Sequence, residues 1–295
     1  MRPIRSILYI PANNEDWVLE APEKYDADAF IFDLEDSVPP SEKEHAREVV
    51  ADAYEQWDTD KTITVRLNAP DTGLFEADLD AVVHDRLDAV IVPKLPRTEY
   101  ITRTDHVLSY LEARRGIDSP TEIIALPETP RGFYNAHELC QASDRVAAIV
   151  GGTSRGADVE RALGWEWTEE GTEKLHMLSK VLLDGKAAGV EQFFGGAWTN
   201  VEDVDGLRTE AERLRSLGYT GYQVIHPSHV EPINEIFTPD EDDVAFWQRV
   251  MEAMETAELE ESRGAVRFEG EMIDIAHIKR GEDILERARA FDMID

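Results

Sequence analysis

Polar side chains able to do chemistry recur in this 295-residue chain at the ends of short apolar runs. Asp33, Glu35 and Asp36 lie in or just after AFIFDLE (29–35), Arg66 and Asn68 in TITVRLN (62–68), and Lys94 in AVIVPKL (89–95). Glu128 ends EIIALPE (122–128), a loop from Gly151 to Asp158 follows VAAIVGG (146–152), and His226 lies in YQVIHP (222–227). Carboxylates drawn from separate segments, with few histidines and no thiolate cluster, suit a hard cation that takes oxygen ligands and keeps several waters. That describes Mg²⁺, with Mn²⁺ as an alternative occupant. Arg66 could hold a substrate carboxylate with its two-pronged fork or stabilise a developing oxyanion. An ion-paired plug made of Arg66, Asp33, Glu35 and Asp36 is the equal alternative.

The remaining candidates each carry two readings. Glu128 stands between Pro127 and Thr129-Pro130, where an acid serves either as a ligand or as an N-cap for the next helix. Asp158 closes a glycine-rich loop that lacks the Lys-Ser/Thr ending of a P-loop; it is a ligand or a helix-starting acid favoured by the dipole. Lys94 reads as an ion-pair partner in preference to a Schiff-base lysine, and His226, before Pro227, as a hydrogen-bonded structural residue in preference to a ligand. Trp165, Trp167 and Trp198 are expected to pack over the site, with a nucleotide-stacking surface as the lesser reading. A serine triad or a zincin site is not expected: no Ser/His/Asp elbow of G-x-S-x-G type is read, and no HExxH helix.

The elements that must position these residues are legible as eight runs, the six above plus ILYIPA (7–12) and VEQFFGGAW (190–198). Near-continuous apolar, β-branched stretches that end abruptly in polar residues or proline are the pattern of parallel strands buried on both faces. Helical patterns alternate with them, one opening near 42–57 behind Ser41-x-x-Glu44, a capping-box spacing. Eight such units predict a (β/α)8 TIM barrel over residues 1–238, whose chemistry sits at the C-terminal strand ends. An open doubly wound sheet is the runner-up, but no GxGxxG follows a strand. Residues 239–258 then predict an amphipathic helix, 264–270 a loop, and 276–291 a second helix. This C-terminal helical extension (239–295) is too short for a core of its own and is expected to cap the barrel or pack on a neighbouring subunit.

Composition narrows the partners. There are 62 acidic and 30 basic residues, a net charge of −32, spread along the chain. Nucleic acid is excluded as a partner, because a phosphate backbone needs a basic footprint. A broadly acidic, lysine-poor surface suits a halophilic, salt-rich cytosol, and no run is long enough for a membrane span or laid out as a signal peptide, so a cytoplasmic location is expected. The single cysteine, Cys140, allows no internal disulfide and reads as a buried small apolar residue.

Taken in order, DLEDSV (33–38) with Lys43, VRLN (65–68), IVPKL (91–95), LPETPRG (126–132), IHPSHVEPINEIFTP (225–239) and GEMIDIAHIK (270–279) resemble signatures of the HpcH/HpaI aldolase/citrate lyase, or CitE-like, family. The likeness runs from Arg5 to about residue 290. It implies Glu128 and Asp158 as Mg²⁺ ligands and Arg66 as the contact to substrate carbonyl and carboxylate. Asp274 would be the catalytic aspartate, reaching a neighbouring subunit's site in a homo-trimer or homo-hexamer. It further implies that Tyr9, Ala157, Asp158, Ile225 and His226 join Arg66 around an acyl-CoA substrate. IDIAHIK and GWEWTEEG (164–171) are nearest the malyl-CoA/β-methylmalyl-CoA lyases, which give glyoxylate and acetyl-CoA or propionyl-CoA. Malyl-CoA thioesterase, citramalyl-CoA lyase and a citrate-lyase β subunit working on a carrier-bound substrate are the alternatives. The chain departs from the family in the loop before Asp158 and at Asn14 and Glu20, where basic residues associated with CoA are common.

Overall fold

The computed structural model describes residues 1–261, 265–268 and 271–294, with the side chains of 255–261, 265–267 and 271–277 outside the description. Eight parallel strands close into a barrel in chain order: β1 Ser6–Pro11, β2 Ala29–Asp33, β3 Thr62–Arg66, β4 Ala89–Pro93, β5 Glu122–Leu126, β6 Val146–Val150, β7 Gln192–Gly196 and β8 Gly221–Val224. All eight apolar runs become strands. Each run outlasts its strand by one or more residues, because apolar side chains continue past the last ladder pair into the turn at the barrel mouth.

The period of two along each strand decides which residues reach the interior. Ile7, Ala29, Ile31, Ala89, Ile91, Ile124, Leu126, Ala148, Val150 and Phe194 form one buried cluster inside the barrel, while the alternate residues face the helices. Continuing these inward rows toward the C-terminal ends gives Tyr9, Asp33, Arg66 and Glu128. Asp33 and Arg66 are register partners across β2 and β3, and Asp33 is also paired with Pro11 of β1. The top layer of the barrel is therefore polar by the same alternation that makes the layers beneath it apolar.

Two local expectations fail. Pro40–Glu42 winds into a 3-10 turn and the helix Lys43–Ala53 begins after it, with no side-chain cap at either start, so the Ser41/Glu44 capping box does not form. In the segment 264–270, predicted as a loop, Ala265–Phe268 instead pairs antiparallel with Glu271–Asp274.

Residues 3–236 make one compact unit and 237–295 another. In the second, helices Glu241–Glu261 and Ile275–Ala290 bury Val244, Trp247, Val250, Met254, Leu285 and Ala288 as a cluster of their own, more core than its length led us to expect. Among the described residues no helix is long and apolar enough to cross a membrane.

Candidate active site

Arg66 is locked at the mouth. Its Nε and Nη2 donate to the two Asp33 oxygens, each at 2.7 Å, and Nη1 lies 3.1 Å from Glu35 Oε2. Its guanidinium stacks over the Tyr9 ring, 4.9 Å from the centroid. Burial of this pair resists ionisation. The facing charges prevail nonetheless: Asp33 is held below the usual carboxylate range by Arg66 and by hydrogen bonds from Ser37 and the Glu35 backbone. Burial pushes the Tyr9 phenol well up, so it stays neutral. Lys43 Nζ donates to the backbone oxygens of Leu34 and Glu35, at 2.6 and 2.5 Å, and so fixes the turn that presents Glu35 and Asp36.

Lys94 and Glu128 follow β4 and β5 and share an uncommon backbone. Both are non-glycine residues in the left-handed region, with φ of 54° and 49°. Such residues carry strain that surrounding structure must hold in place, and they cluster at functional sites. Lys94 Nζ sits among carboxylates, 2.7 Å from Glu35, 3.2 Å from Asp36 and 3.6 Å from Asp158. Those acids raise its pKa, which keeps the ammonium charged and makes it the ion-pair partner expected, not a Schiff-base lysine. Glu128 does the reverse. Thr129 caps the next helix by accepting from Gly132, so Glu128 is not needed as an N-cap. Its Oε2 is buried with no hydrogen-bond partner, and burial pushes its pKa up to about 8, opposed by Arg66 and Lys94 and reinforced by Glu35 and Asp36.

The loop after β6 runs beside Glu128: a Cβ added at Gly152 would lie 3.8 Å from Glu128 Cγ. Asp158 starts the helix Asp158–Leu163, as its helix-starting reading predicted. Its side chain is 35% exposed and ion-paired with Arg161 at 2.6 Å as well as with Lys94. Gly152-Thr153-Ser154-Arg155-Gly156 does spell G-x-S-x-G, contrary to the expectation that no such elbow is present. Ser154 makes no hydrogen bond to a histidine among the described residues, so the string carries no triad.

A cavity of about 480 Å³ opens at this mouth, with Tyr9, Arg66, Glu128, Ala157 and Ile225 in its wall. With Asp33 and Asp36, also in the wall, seven residues singled out from the sequence meet around one space, and Asp158 is not among its lining residues. The ion pairs of Arg66 with Asp33 and Glu35 are present and leave this space open. His226 is not in the wall; its Nδ1 pairs with Ser228 Oγ at 2.7 Å and caps a 3-10 turn, which is the structural role expected. Asp274 ends its strand directly before the last helix, but its side chain lies outside the described residues. Trp167 and Trp198 meet edge to face, 5.4 Å apart, beside the mouth. Cys140 is buried and its thiol is pushed up to about 12.

The geometry suits a divalent cation. Glu128 presents a buried, unpartnered carboxylate oxygen, the kind of atom a metal would satisfy, and the Lys94 ammonium already sits between Asp158 and the acids that follow β2, Glu35 and Asp36. Among the described residues no three His, Cys, Asp or Glu side chains gather as a cage. Mg²⁺ needs none, since one or two carboxylates plus waters and substrate oxygens commonly complete its shell.

The sequence profile of the HpcH/HpaI aldolase/citrate lyase family matches residues 5–227. The chain belongs to this family. It is 32% identical over 296 residues to the citrate lyase subunit beta of Haemophilus influenzae, covering 98% of each chain. It is also 32% identical over 289 residues to the (3S)-malyl-CoA thioesterase of Cereibacter sphaeroides, covering 98% of this chain and 95% of that one. Among solved structures, CitE from Mycobacterium tuberculosis in complex with magnesium, acetoacetate and coenzyme A superposes with a TM-score of 0.74 at 27% identity, over 97% of this chain and 98% of that one. The chain is thus an aldolase/citrate lyase family enzyme built on a (β/α)8 barrel.

Proposed function

We propose that this enzyme is a Mg²⁺-dependent lyase that reversibly cleaves malyl-CoA or β-methylmalyl-CoA to glyoxylate and acetyl-CoA or propionyl-CoA. The observation that carries this reading is Glu128, a carboxylate held in a left-handed turn with one oxygen buried and unpaired, facing the same cavity as Arg66. Glu128 and Asp158 would hold the cation, as magnesium accompanies acetoacetate and coenzyme A in the CitE relative. When bound, Mg²⁺ supplies Lewis-acid polarisation of the oxo-acid oxygens.

The chain's own residues do the rest. Once the acyl hydroxyl has given its proton to solvent, Arg66 directs its remaining N–H groups at the alkoxide oxygen whose electrons form the new carbonyl as the carbon–carbon bond breaks, and Asp33 holds that guanidinium in place beforehand, so little reorganisation is needed. Burial of Arg66, Asp33 and the Glu128 tip excludes water, which strengthens each of these interactions. Asp274 of a neighbouring copy would protonate the departing thioester enolate at carbon, or remove that proton in the condensation direction. The extension 239–295 then serves to deliver it, and the working state is a homo-trimer or homo-hexamer. The acidic surface suits a salt-rich cytoplasm.

A second reading, hydrolysis of malyl-CoA to malate and free CoA, is favoured by the 32% identity to the C. sphaeroides thioesterase. Incubating the purified chain with malyl-CoA and Mg²⁺ separates the two: glyoxylate with acetyl-CoA supports the lyase, and malate with free CoA supports the thioesterase. Absence of turnover without a carrier protein would instead favour a citrate-lyase-type subunit.

A further inference from the structure

Arg155 lies in the wall of the mouth cavity and also in that of a neighbouring cavity of about 370 Å³ between the loops after β6 and β7. Ser154, Gly196, Ala197 and Thr199 are likewise common to both walls, so Arg155 stands where the two spaces adjoin. The other cations of the mouth are committed. Arg66 is bound to Asp33 and Glu35, Lys94 to Glu35, Asp36 and Asp158, and Arg161 to Asp158. Among the described residues, Arg155 alone of these four has no carboxylate partner, in a chain with twice as many acids as bases.

Arg155 is nonetheless oriented. Its guanidinium carbon stands 5.7 Å from the centroid of the Trp167 ring. Trp167 is itself fixed by the edge contact with Trp198 and by Lys174, whose Nζ is 5.1 Å from the same ring. A guanidinium stacked on an indole keeps its N–H edge available for a bidentate contact, and stacking reduces the freedom lost when that contact forms. The floor of the smaller cavity does not compete for an anion. Lys174 there is paired with Glu210 at 2.6 Å, and Asp203 and Asp205 add negative charge. Positive potential available to a ligand is therefore concentrated at the junction.

We infer that Arg155 is an oxyanion-binding residue of the substrate site, holding a carboxylate or phosphate group at the rim between the two cavities. Its purpose follows from the acidic composition, 62 acidic against 30 basic residues, which ties up the other cations of the mouth in ion pairs and leaves Arg155, among the described residues, as the one free to meet an anion at contact range. The inference rests on the proposed function only for the identity of the anion. A malyl-CoA substrate offers two sources, the carboxylate of the acyl half and the phosphates of the CoA half.

Calorimetric titration of wild type, Arg155→Ala and Arg155→Lys with CoA alone and with malate alone, in Mg²⁺, tests it without turnover. Arg155→Ala is expected to weaken one of the two anions about ten- to a hundredfold, the range of a lost charge-assisted contact, and Arg155→Lys to restore part of the loss. Weakened CoA identifies the phosphates as the source, and weakened malate the carboxylate. Arg155 is exposed, so the variant should fold, and an unchanged near-UV circular dichroism spectrum verifies that. Equal affinity of wild type and Arg155→Ala for both anions, or no binding of either by wild type, overturns the inference. If malyl-CoA is not cleaved while Arg155→Ala still weakens an anion, the proposed function fails and the anion site stands.

Discussion

Replacing Glu128 by Gln removes the charge and keeps the shape, and the structure sets both the sign and the size of the result. With no cation bound, the Glu128 carboxyl is pushed from 4.5 to about 8. The folded state thus keeps a proton that the unfolded state has already released. The stability this protonated carboxyl permits is fully present below about pH 4.5, falls as pH rises, and is lost above about pH 8. At about 1.36 kcal/mol per unit, the interval amounts to about 5 kcal/mol, of which roughly 3 kcal/mol falls between pH 6 and 8. That range is the practical one, because the sequence isoelectric point lies near 4.5, where low net charge promotes association. Urea unfolding in EDTA should show wild type losing stability from pH 6 to 8.5 relative to Glu128→Gln, which becomes the more stable protein at the upper end. Glu35, also pushed up by burial, adds a slope of the same sign to both proteins, and its repulsion of Glu128 is part of the difference measured. Adding Mg²⁺ at pH 8.5 should restore wild type and leave Glu128→Gln unmoved. A Gln variant no more stable than wild type at pH 8.5 in EDTA, or one equally stabilised by Mg²⁺, would refute the reasoning.

Four further outcomes follow from the site and the core. Arg66→Ala strands the buried Asp33 carboxylate and should cost about 3–5 kcal/mol of stability in the same unfolding assay. Arg66→Lys, which cannot reproduce the two-pronged contact, should instead appear mainly as a loss of about 10²–10³ in kcat. Asp274→Asn should lower turnover by about 10²–10⁴ while calorimetric Mg²⁺ affinity is retained; loss of metal binding would contradict a proton-transfer role. Cys140, buried with its thiol pushed up to about 12, should react with Ellman's reagent orders of magnitude more slowly in the native protein than in urea.

The barrel was legible because buried parallel strands have no polar face: eight apolar runs stand out whatever the helices between them look like. Aligning those runs by their ends also placed Asp33 beside Arg66, which are 33 positions apart in the chain and register partners in the sheet. What alignment could not supply is backbone conformation. Nothing in Pro93-Lys94 or Pro127-Glu128 announces a left-handed turn, since no glycine marks either position, yet that turn is what aims Glu128 into the cavity. Ser41 failed as a capping-box residue because Pro39-Pro40 favours a 3-10 turn that moves the helix start to Lys43. The antiparallel pairing of 265–268 with 271–274 did carry a signal, two short runs in the sequence, that a loop reading passed over. Arg155 was invisible for a different reason. An arginine beside glycines in a loop is ordinary in sequence, and only the fold brings it beside Arg66, Lys94 and Arg161, each already ion-paired.

The central claim is that Glu128 and Asp158 hold the divalent cation at the barrel mouth. Crystals grown with Mn²⁺ and glyoxylate, measured at a wavelength where manganese scatters anomalously, test it most directly. One anomalous peak within about 2.0–2.3 Å of an oxygen of each carboxylate is the predicted result, the range for hard cations with oxygen ligands. A peak held by Glu35 and Asp36 in place of Lys94, or none at the mouth, would contradict it.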